Sequence, residues 1–552
     1  MGQGPSEARA LSLLVVLSVL PLVLGLGNEV WYGDPSQYAE VARRIAVSGD
    51  WLHLFDNNGP NLNKPPLAMW GIALFVKLLG PTSEAIRLPA LLFGVVMLIA
   101  VARIGTLLWS RSAGLCAAAL LASSLAFQVM VGDPKVDMAL TAMSACAVWM
   151  AFEARRRPWT IWLAWLFGGL GVLAKGPIGL VAPVAAVLPE AIRHQWGDAG
   201  PGTLRSRLWR LQPLGLLVAA AVVYPYVRAT FEQFGAHGPS EFLFSQSFGR
   251  VLNQSEWHND TTPLFFLHTG LWAFAPFVPA LILELWRRGV ALAKSRRLPW
   301  DESRVIWWWL GIPFVAISAS SYKLPQYLFW LAPPAALIAA RALSDGAPRA
   351  LGWIWTGLGA VAAGALGVLL QVGFPPRAFA VTVAWIGAAL AVTAGARALS
   401  RRLPGLARPA VLAVGSMLTV ELFYWTYLYP TMMEFQPGAE WGELLRREDP
   451  AAPFVVYSGC EQSTAVSYYA NRPAIELTPE QLAASVRRGE VKLAITEAQN
   501  LHALEEQGLV AERLGELPYY PTSVPRGAFL NARTRPETLT MQLLVRLRVA
   551  GP

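Results

Sequence analysis

Charged residues are scarce in this chain. Asp, Glu, Lys and Arg make up 15% of 552 positions, against about 25% in ordinary soluble domains, while 54% of the residues are hydrophobic. No soluble core needs that much apolar surface, so the composition excludes a soluble enzyme and indicates a polytopic membrane protein. Cysteine is equally sparse. Of three, Cys116 and Cys146 fall inside apolar runs and Cys460 stands alone near the C-terminus, which excludes a disulfide framework and a cysteine metal site. The sequence shows no internal repeat and no low-complexity tract, which weighs against a transporter assembled from obvious repeats. A net charge of +9 would suggest nucleic acid in a soluble protein. Here the arginines sit in short clusters between apolar runs, where they fix membrane orientation, and no nucleic-acid partner is expected.

What the sequence has instead is apolar runs of roughly membrane-spanning length. Leu11–Leu26 comes first, its flank carrying one basic residue and no small-x-small cleavage site, so it reads as a retained span. Twelve more follow: Leu88–Trp109, Leu115–Met130, Met138–Phe152, Trp159–Leu173, Ile178–Ile192, Leu214–Val227, Leu264–Leu285, Val305–Ala319, Pro325–Ala340, Leu351–Val372, Phe379–Ala396 and Ala410–Tyr427. With a cytoplasmic N-terminus, alternation puts every arginine-rich loop inside, including Arg155–Arg157 and Arg397–Arg408. The opposite loops carry single basic residues such as Lys135, Lys175, Arg250, Lys323 and Arg377. Counting Pro65–Leu79 as a span would reverse that sorting, so it is expected to lie along or dip into the outer membrane face. Thirteen spans leave the end of the chain outside. There FVVYSG and VKLAIT look like short strands, and TPEQLAASVRRG looks like a helix with Thr478 as its N-cap. The expected division is a membrane region over 1–430, including a first outer loop at 28–85, and a small α/β domain over 431–552.

The polar residues that survive in this apolar context gather on the outer side. They are Asp34, Tyr38, His53, Asp56 and Lys64 in the first loop; Asp133 and Asp137 before the fourth span; Lys175; His258 and Asp260; and Lys323 with Tyr327. Ionisable groups beside a bilayer are costly unless solvated, paired or used, so they mark a candidate site. Asp34, in GDPSQY, suits a general base or an acceptor-orienting carboxylate; as a bland alternative it is a turn or helix cap. Asp137 opens an apolar helix, where the helix dipole alone favours a carboxylate by about 0.3–1 kcal/mol. Lys64 in NKPP, Lys175 in AKGP and Lys323 in YKLP each precede a proline at a span end, where an ammonium suits a lipid phosphate or simply snorkels. His258 fits a metal ligand, an acid/base group or an ordinary loop residue, with no HExxH spacing behind it. One divalent metal ion is therefore the only cofactor to consider.

Taken in order, GDPSQYAEVARRIAVSGDW, NKPPLAMW, the aspartate before MALTA, AKGPIGL, the loop with His258 and SSYKLPQYLFWLAPPAALIA resemble the lipid-dependent membrane glycosyltransferases of the GT-C fold, in the dolichyl-phosphate-mannose protein mannosyltransferase-like superfamily. The look is that of the bacterial lipid A aminoarabinose transferase branch. The resemblance implies an inverting transfer of one sugar from an undecaprenyl-phosphate carrier at the periplasmic face of the bacterial inner membrane, by a monomer. Asp34 and Asp137 would be catalytic, and Lys64, Lys175 and Lys323 would bind the donor phosphate. Tyr38, His53, Tyr327 and Asp133 are expected to line the substrate cavity, and His258, with Asp34, Asp137 and Asp260, would offer a nitrogen and oxygen set for a divalent cation. The acceptor would be lipid A or another outer-face molecule, and the sugar 4-amino-4-deoxy-L-arabinose. Three positions depart from that branch: Pro35 replaces an acidic residue, Gln37 an arginine, and Asn63 a glutamate. A protein O-mannosyltransferase-like enzyme is the near alternative. A lipid-linked sugar flippase would place its charges near the bilayer midplane rather than at span ends, and a receptor or assembly subunit would tolerate replacement of Asp34 and Asp137.

Overall fold

The computed structural model describes residues 5–195, 204–249, 259, 261–262, 264–295, 304–320, 322–522 and 525–550. His258 and Asp260 lie outside them. Each of the thirteen apolar runs carries helix, because a backbone in hydrocarbon must satisfy its own N–H and C=O groups. Among the described residues, eight helices are long and apolar enough to cross a membrane, or nine if one bent pair is a single span. The chain is a multi-pass membrane protein.

The first part of the chain builds the surroundings of the candidate site. It runs α1 (Pro5–Leu24), α2 (Asp34–Ser48), a short hairpin of β1 (Phe55–Asp56) and β2 (Gly59–Pro60), α3 (Leu67–Leu79) and α4 (Ser83–Leu108). Then come α5 (Arg111–Ala122), α6 (Leu125–Gly132), α7 (Val136–Glu153), α8 (Thr160–Lys175), α9 (Ile178–Gln195) and α10 (Leu204–Phe234). The α7 helix is buried on nearly every side. Ala139, Ala142, Ala145 and Ala147 let its neighbours approach closely, the usual basis of helix packing in membranes. At 13 residues, α3 is about 20 Å long, short of a bilayer's about 30 Å hydrocarbon core.

Two expected spans are broken. Leu115–Met130 is not one straight helix: α5 and α6 meet at a bend of 62°. The cause is local, since Ser124 Oγ accepts from Phe127 N at 3.3 Å and starts a new helix, while Ser123 and Ser124 hydroxyls donate back to Leu120 and Leu121 carbonyls. Leu264–Leu285 is likewise divided, into Phe265–Ala273 and Val278–Ser295. Apolar composition does not reveal such breaks, because the residues around them are as apolar as the rest.

The last 120 or so residues form a five-stranded sheet, β3 (Val455–Tyr457), β4 (Ala474–Glu476), β5 (Leu493–Glu497), β6 (Leu509–Tyr519) and β7 (Thr540–Val549). Its order is β4-β3-β5-β7-β6. The pairs β3–β4 and β3–β5 are parallel, and β5–β7 and β6–β7 are antiparallel. Val456, Leu482 and Val545 pack on one face and Val455, Tyr457 and Trp441 on the other. Thr478 caps its helix as its sequence context predicts, accepting from Gln481 N while Gln481 Oε1 accepts from Thr478 N at 3.0 Å.

This sheet unit is fastened to the segment between α1 and α4. Tyr32 Oη donates to Glu461 at 2.7 Å, Trp31 Nε1 to the Thr522 carbonyl at 3.0 Å, and Asn57 Nδ2 to Ser467 Oγ at 2.9 Å. Ser36 Oγ and Thr464 Oγ1 lie 2.7 Å apart. That segment is thus held between the helices and the sheet.

Candidate active site

The site begins at the turn before α2. Gly33 has φ +114°, a conformation that side chains oppose, and it lets the chain swing from Tyr32 into a helix whose first residue is Asp34 and second Pro35. Proline is well suited there because its missing N–H is one of the unbonded ones of the first turn. Ser36 Oγ accepts from Gly33 N at 3.3 Å and closes the turn. The Asp34 carboxylate therefore stands at a helix N-terminus, with its side chain 44% exposed.

One helical turn on, Tyr38 is buried. Its hydroxyl is pushed well above the ordinary phenol value by burial and then by Asp34, Asp137 and Tyr327. Asp34, Asp137 and Tyr327, from three separate segments, thus converge on one ring. Opposite them, the turn between α6 and α7 supplies Asp133 and Lys135. The Lys135 ammonium lies 3.4 Å from Asp133 Oδ2 and 3.9 Å from Asp34 Oδ2, and is 17% exposed. Burial by itself would lower the affinity of that amine for its proton, but Asp133 and Asp34, with Asp137 behind them, raise it above the usual lysine value.

The α7 and α8 helices add a second ion pair. Lys175 Nζ donates to Asp137 Oδ1 at 2.5 Å and sits 4.3 Å from the centre of the Tyr327 ring. Both side chains are largely buried, so this pair is tight and desolvated. An apolar cleft opens beside the cluster, with Ala68 and Ile72 of α3, Pro89 and Phe93 of α4, and Tyr38 and Lys135 at its polar end.

The structure therefore brings together Asp34, Tyr38, Asp133, Asp137, Lys175 and Tyr327 of the residues expected from sequence. It places others elsewhere. His53 is engaged with Asp50 at 2.8 Å and Glu232 at 3.5 Å, linking the segment after α2 to α10. Lys64 is half-buried, with Nζ donating to the Asn63 carbonyl at 3.0 Å. Lys323 is buried, its backbone held through N–H and C=O by the Asn259 side chain, and its ammonium has no ion pair among the described residues. Asp56 accepts from Gln37, Asn58 and Asn61 and braces the hairpin. Sequence reasoning treated Lys135 only as a lone basic residue of an outer loop. The signal was the spacing D-P-K-V-D, an ammonium two residues from an acid on either side.

Among the described residues no group of three or more His, Cys, Asp or Glu is arranged to hold a metal ion. The Lys135 ammonium stands between Asp34 and Asp133, so these two carboxylates do not fit a divalent metal. The expectation at His258 lies outside the described residues.

Comparisons with known proteins agree with this architecture. Residues 63–228 match the family described as dolichyl-phosphate-mannose-protein mannosyltransferase. An undecaprenyl phosphate-alpha-4-amino-4-deoxy-L-arabinose arabinosyl transferase of Pectobacterium carotovorum subsp. carotovorum (strain PC1) is 26% identical over 403 residues, 68% of each chain. One from Edwardsiella ictaluri (strain 93-146) is 28% identical over 344 residues, 59% of this chain and 58% of that relative. The matches thus span between 58% and 68% of the length of these two relatives. The crystal structure of ArnT from Cupriavidus metallidurans bound to undecaprenyl phosphate superposes with a TM-score of 0.77 at 18% identity, covering 98% of both chains. The chain has the GT-C fold and resembles the lipid-dependent glycosyltransferases of the dolichyl-phosphate-mannose protein mannosyltransferase-like superfamily, among them the bacterial aminoarabinose transferases.

Proposed function

We propose that this chain is an inverting glycosyltransferase that moves one sugar from an undecaprenyl-phosphate carrier to lipid A or another acceptor at the outer face of the inner membrane. The names of the similar proteins make 4-amino-4-deoxy-L-arabinose the first sugar to try. The observation that carries the proposal is the convergence of Asp34 and Asp137 on Tyr38 and Lys135, from segments 100 residues apart.

The chemistry follows from the charges. The polyprenyl phosphate is the leaving group, so negative charge develops on its bridging oxygen as the sugar departs, and cations held near it stabilise the transition state. Lys64 and Lys323 are the lysines proposed for that contact. Lys175 supports the site by holding Asp137. The acceptor attacks the anomeric carbon from the side opposite the phosphate, which inverts that centre. A lipid A phosphate acceptor is already ionised, and Asp34 positions it; a hydroxyl acceptor gives its proton to Asp34.

The test is sugar transfer in nanodiscs, with a panel of undecaprenyl-phosphate sugars and lipid A as acceptor, comparing wild type with Asp34→Asn. Turnover in the wild type and a loss of about 10²-fold or more in Asp34→Asn, with donor binding retained, is the expected result. Equal turnover in the variant would remove Asp34 from the mechanism. No turnover with any donor, together with carrier-lipid movement across a liposome membrane, would establish a flippase instead.

A further inference from the structure

We infer that Lys135 is a positioning residue of the transfer site, the internal cation that holds the Asp34 carboxylate in place for the acceptor. The inference rests on the transferase reading above. It begins from the backbone: Lys135 follows Pro134, is extended at φ −124° and ψ 157°, and immediately precedes α7, so its side chain leaves from a fixed point. Arg87 fixes the same turn from behind. Its guanidinium donates to the Gly132 carbonyl at 2.7 Å and also to the carbonyls of Asn28 and Glu29. One buried arginine therefore ties the segment that carries Lys135 to the segment that leads to Asp34.

The two lysines of the cluster are employed differently. Lys175 is committed, 2.5 Å from Asp137 and packed on an aromatic ring. Lys135 stands 3.4 Å and 3.9 Å from its two carboxylates, close enough for strong Coulomb attraction in a partly desolvated site yet too far to occupy the hydrogen-bonding lone pairs of Asp34. Asp133 is the anchor of this arrangement. Its Oδ2 faces Lys135, and its Oδ1 is buried with no hydrogen-bond partner among the described residues. Of the three acids, Asp34 is the one with an open face. Among the described residues Lys175 is taken up by Asp137 while Lys135 lies against both Asp133 and Asp34, so the geometry leaves Asp34 oriented by Lys135 with a face open to an acceptor.

Steady-state transfer in nanodiscs tests this with wild type, Lys135→Met, Lys135→Arg and Lys135→Gln, and with Lys135→Met combined with Asp34→Asn. Lys135→Met and Lys135→Gln are expected to lower kcat about 10²-fold, the scale of a misplaced reacting group, with KM for the polyprenyl donor within about threefold and thermal midpoints near that of wild type. Lys135→Arg is expected to recover most of kcat. The double variant should be no slower than Asp34→Asn, because Lys135 acts through that carboxylate. Wild-type kcat in both neutral variants overturns the inference, as does a raised donor KM at unchanged kcat, which would make Lys135 a donor-binding group. So does a double variant slower by the product of the two single effects. Transfer by the wild type in any of these cases leaves the transferase reading standing; a wild type inactive with every donor defeats both.

Discussion

Gly132 is the position that most narrowly constrains the site. A methyl group there would stand 1.8 Å from the Trp425 ring, whose Nε1 donates to Gln128 at 3.2 Å. Neither the indole nor the α6 backbone can retreat without moving the turn that carries Asp133 and Lys135. Gly132→Ala is expected to cost about 1–3 kcal/mol of stability through overpacking and to lower kcat as the turn shifts. Thermal unfolding in detergent and steady-state transfer measure the two effects. Residues of this kind separate what the sequence shows from what it hides. Asp34, Tyr38, Asp137, Lys175 and Tyr327 were legible because polar groups stand out in an apolar chain. Lys135 was hidden because a lone lysine between spans also serves as a topology charge. Gly132 was hidden because its constraint is a ring almost 300 residues away.

At the scale of elements, the loop between α1 and α2 is held from two sides. Arg87 of α4 grips its carbonyls, and the Glu29 carboxylate accepts from Ala439 N at 2.5 Å, at the start of the helix Gly438–Glu448. Arg87→Met would leave the Asn28, Glu29 and Gly132 carbonyls without that donor, at about 1–3 kcal/mol for each one that stays buried and unpaired. A large drop in thermal midpoint and weakened transfer are expected together. Glu29 adds a pH dependence. Burial pushes its carboxyl up to about 8, the Ala439 N–H and Arg87 pull it down in part, and Glu440 adds to the rise. The folded state thus holds a proton that the unfolded chain releases near 4.5. Its contribution to stability is complete below that value and is lost as pH rises toward about 8. Between those limits the thermal midpoint of wild type should fall more than that of Glu29→Gln, and parallel curves would show that Glu29 does not titrate in this window. None of this coupling was legible, since each partner lies far off in sequence. The helices themselves were, because apolar runs must be helical in a membrane; the bend at Ser123 and Ser124 was not, because serine hydroxyls bonded to nearby backbone are compatible with either a continuous or a broken helix.

For the whole molecule, the sorting of charge makes a claim about sidedness. Some arginines of the loops expected inside lie against aromatic rings: Arg155 on Phe152 at 5.0 Å, Arg341 on Trp109 at 5.8 Å and Arg397 on Trp353 at 4.1 Å. Aromatic and basic residues side by side are what the interfacial belt of a bilayer favours. By the same sorting we place the Asp34 cluster and the five-stranded sheet on the opposite side. Sidedness decides the donor class, because a site facing the cytoplasm has nucleotide sugars at hand and one facing outward does not. Single-cysteine variants in a chain lacking Cys116, Cys146 and Cys460 can measure it. His502→Cys, on an exposed helix of the sheet unit, is expected to react with a membrane-impermeant maleimide in intact spheroplasts. Arg402→Cys, in an exposed turn after the helix Phe379–Ser400, is expected to react only after permeabilisation. The reverse pattern would turn the cluster toward the cytoplasm and remove the physical reason for a lipid-linked donor.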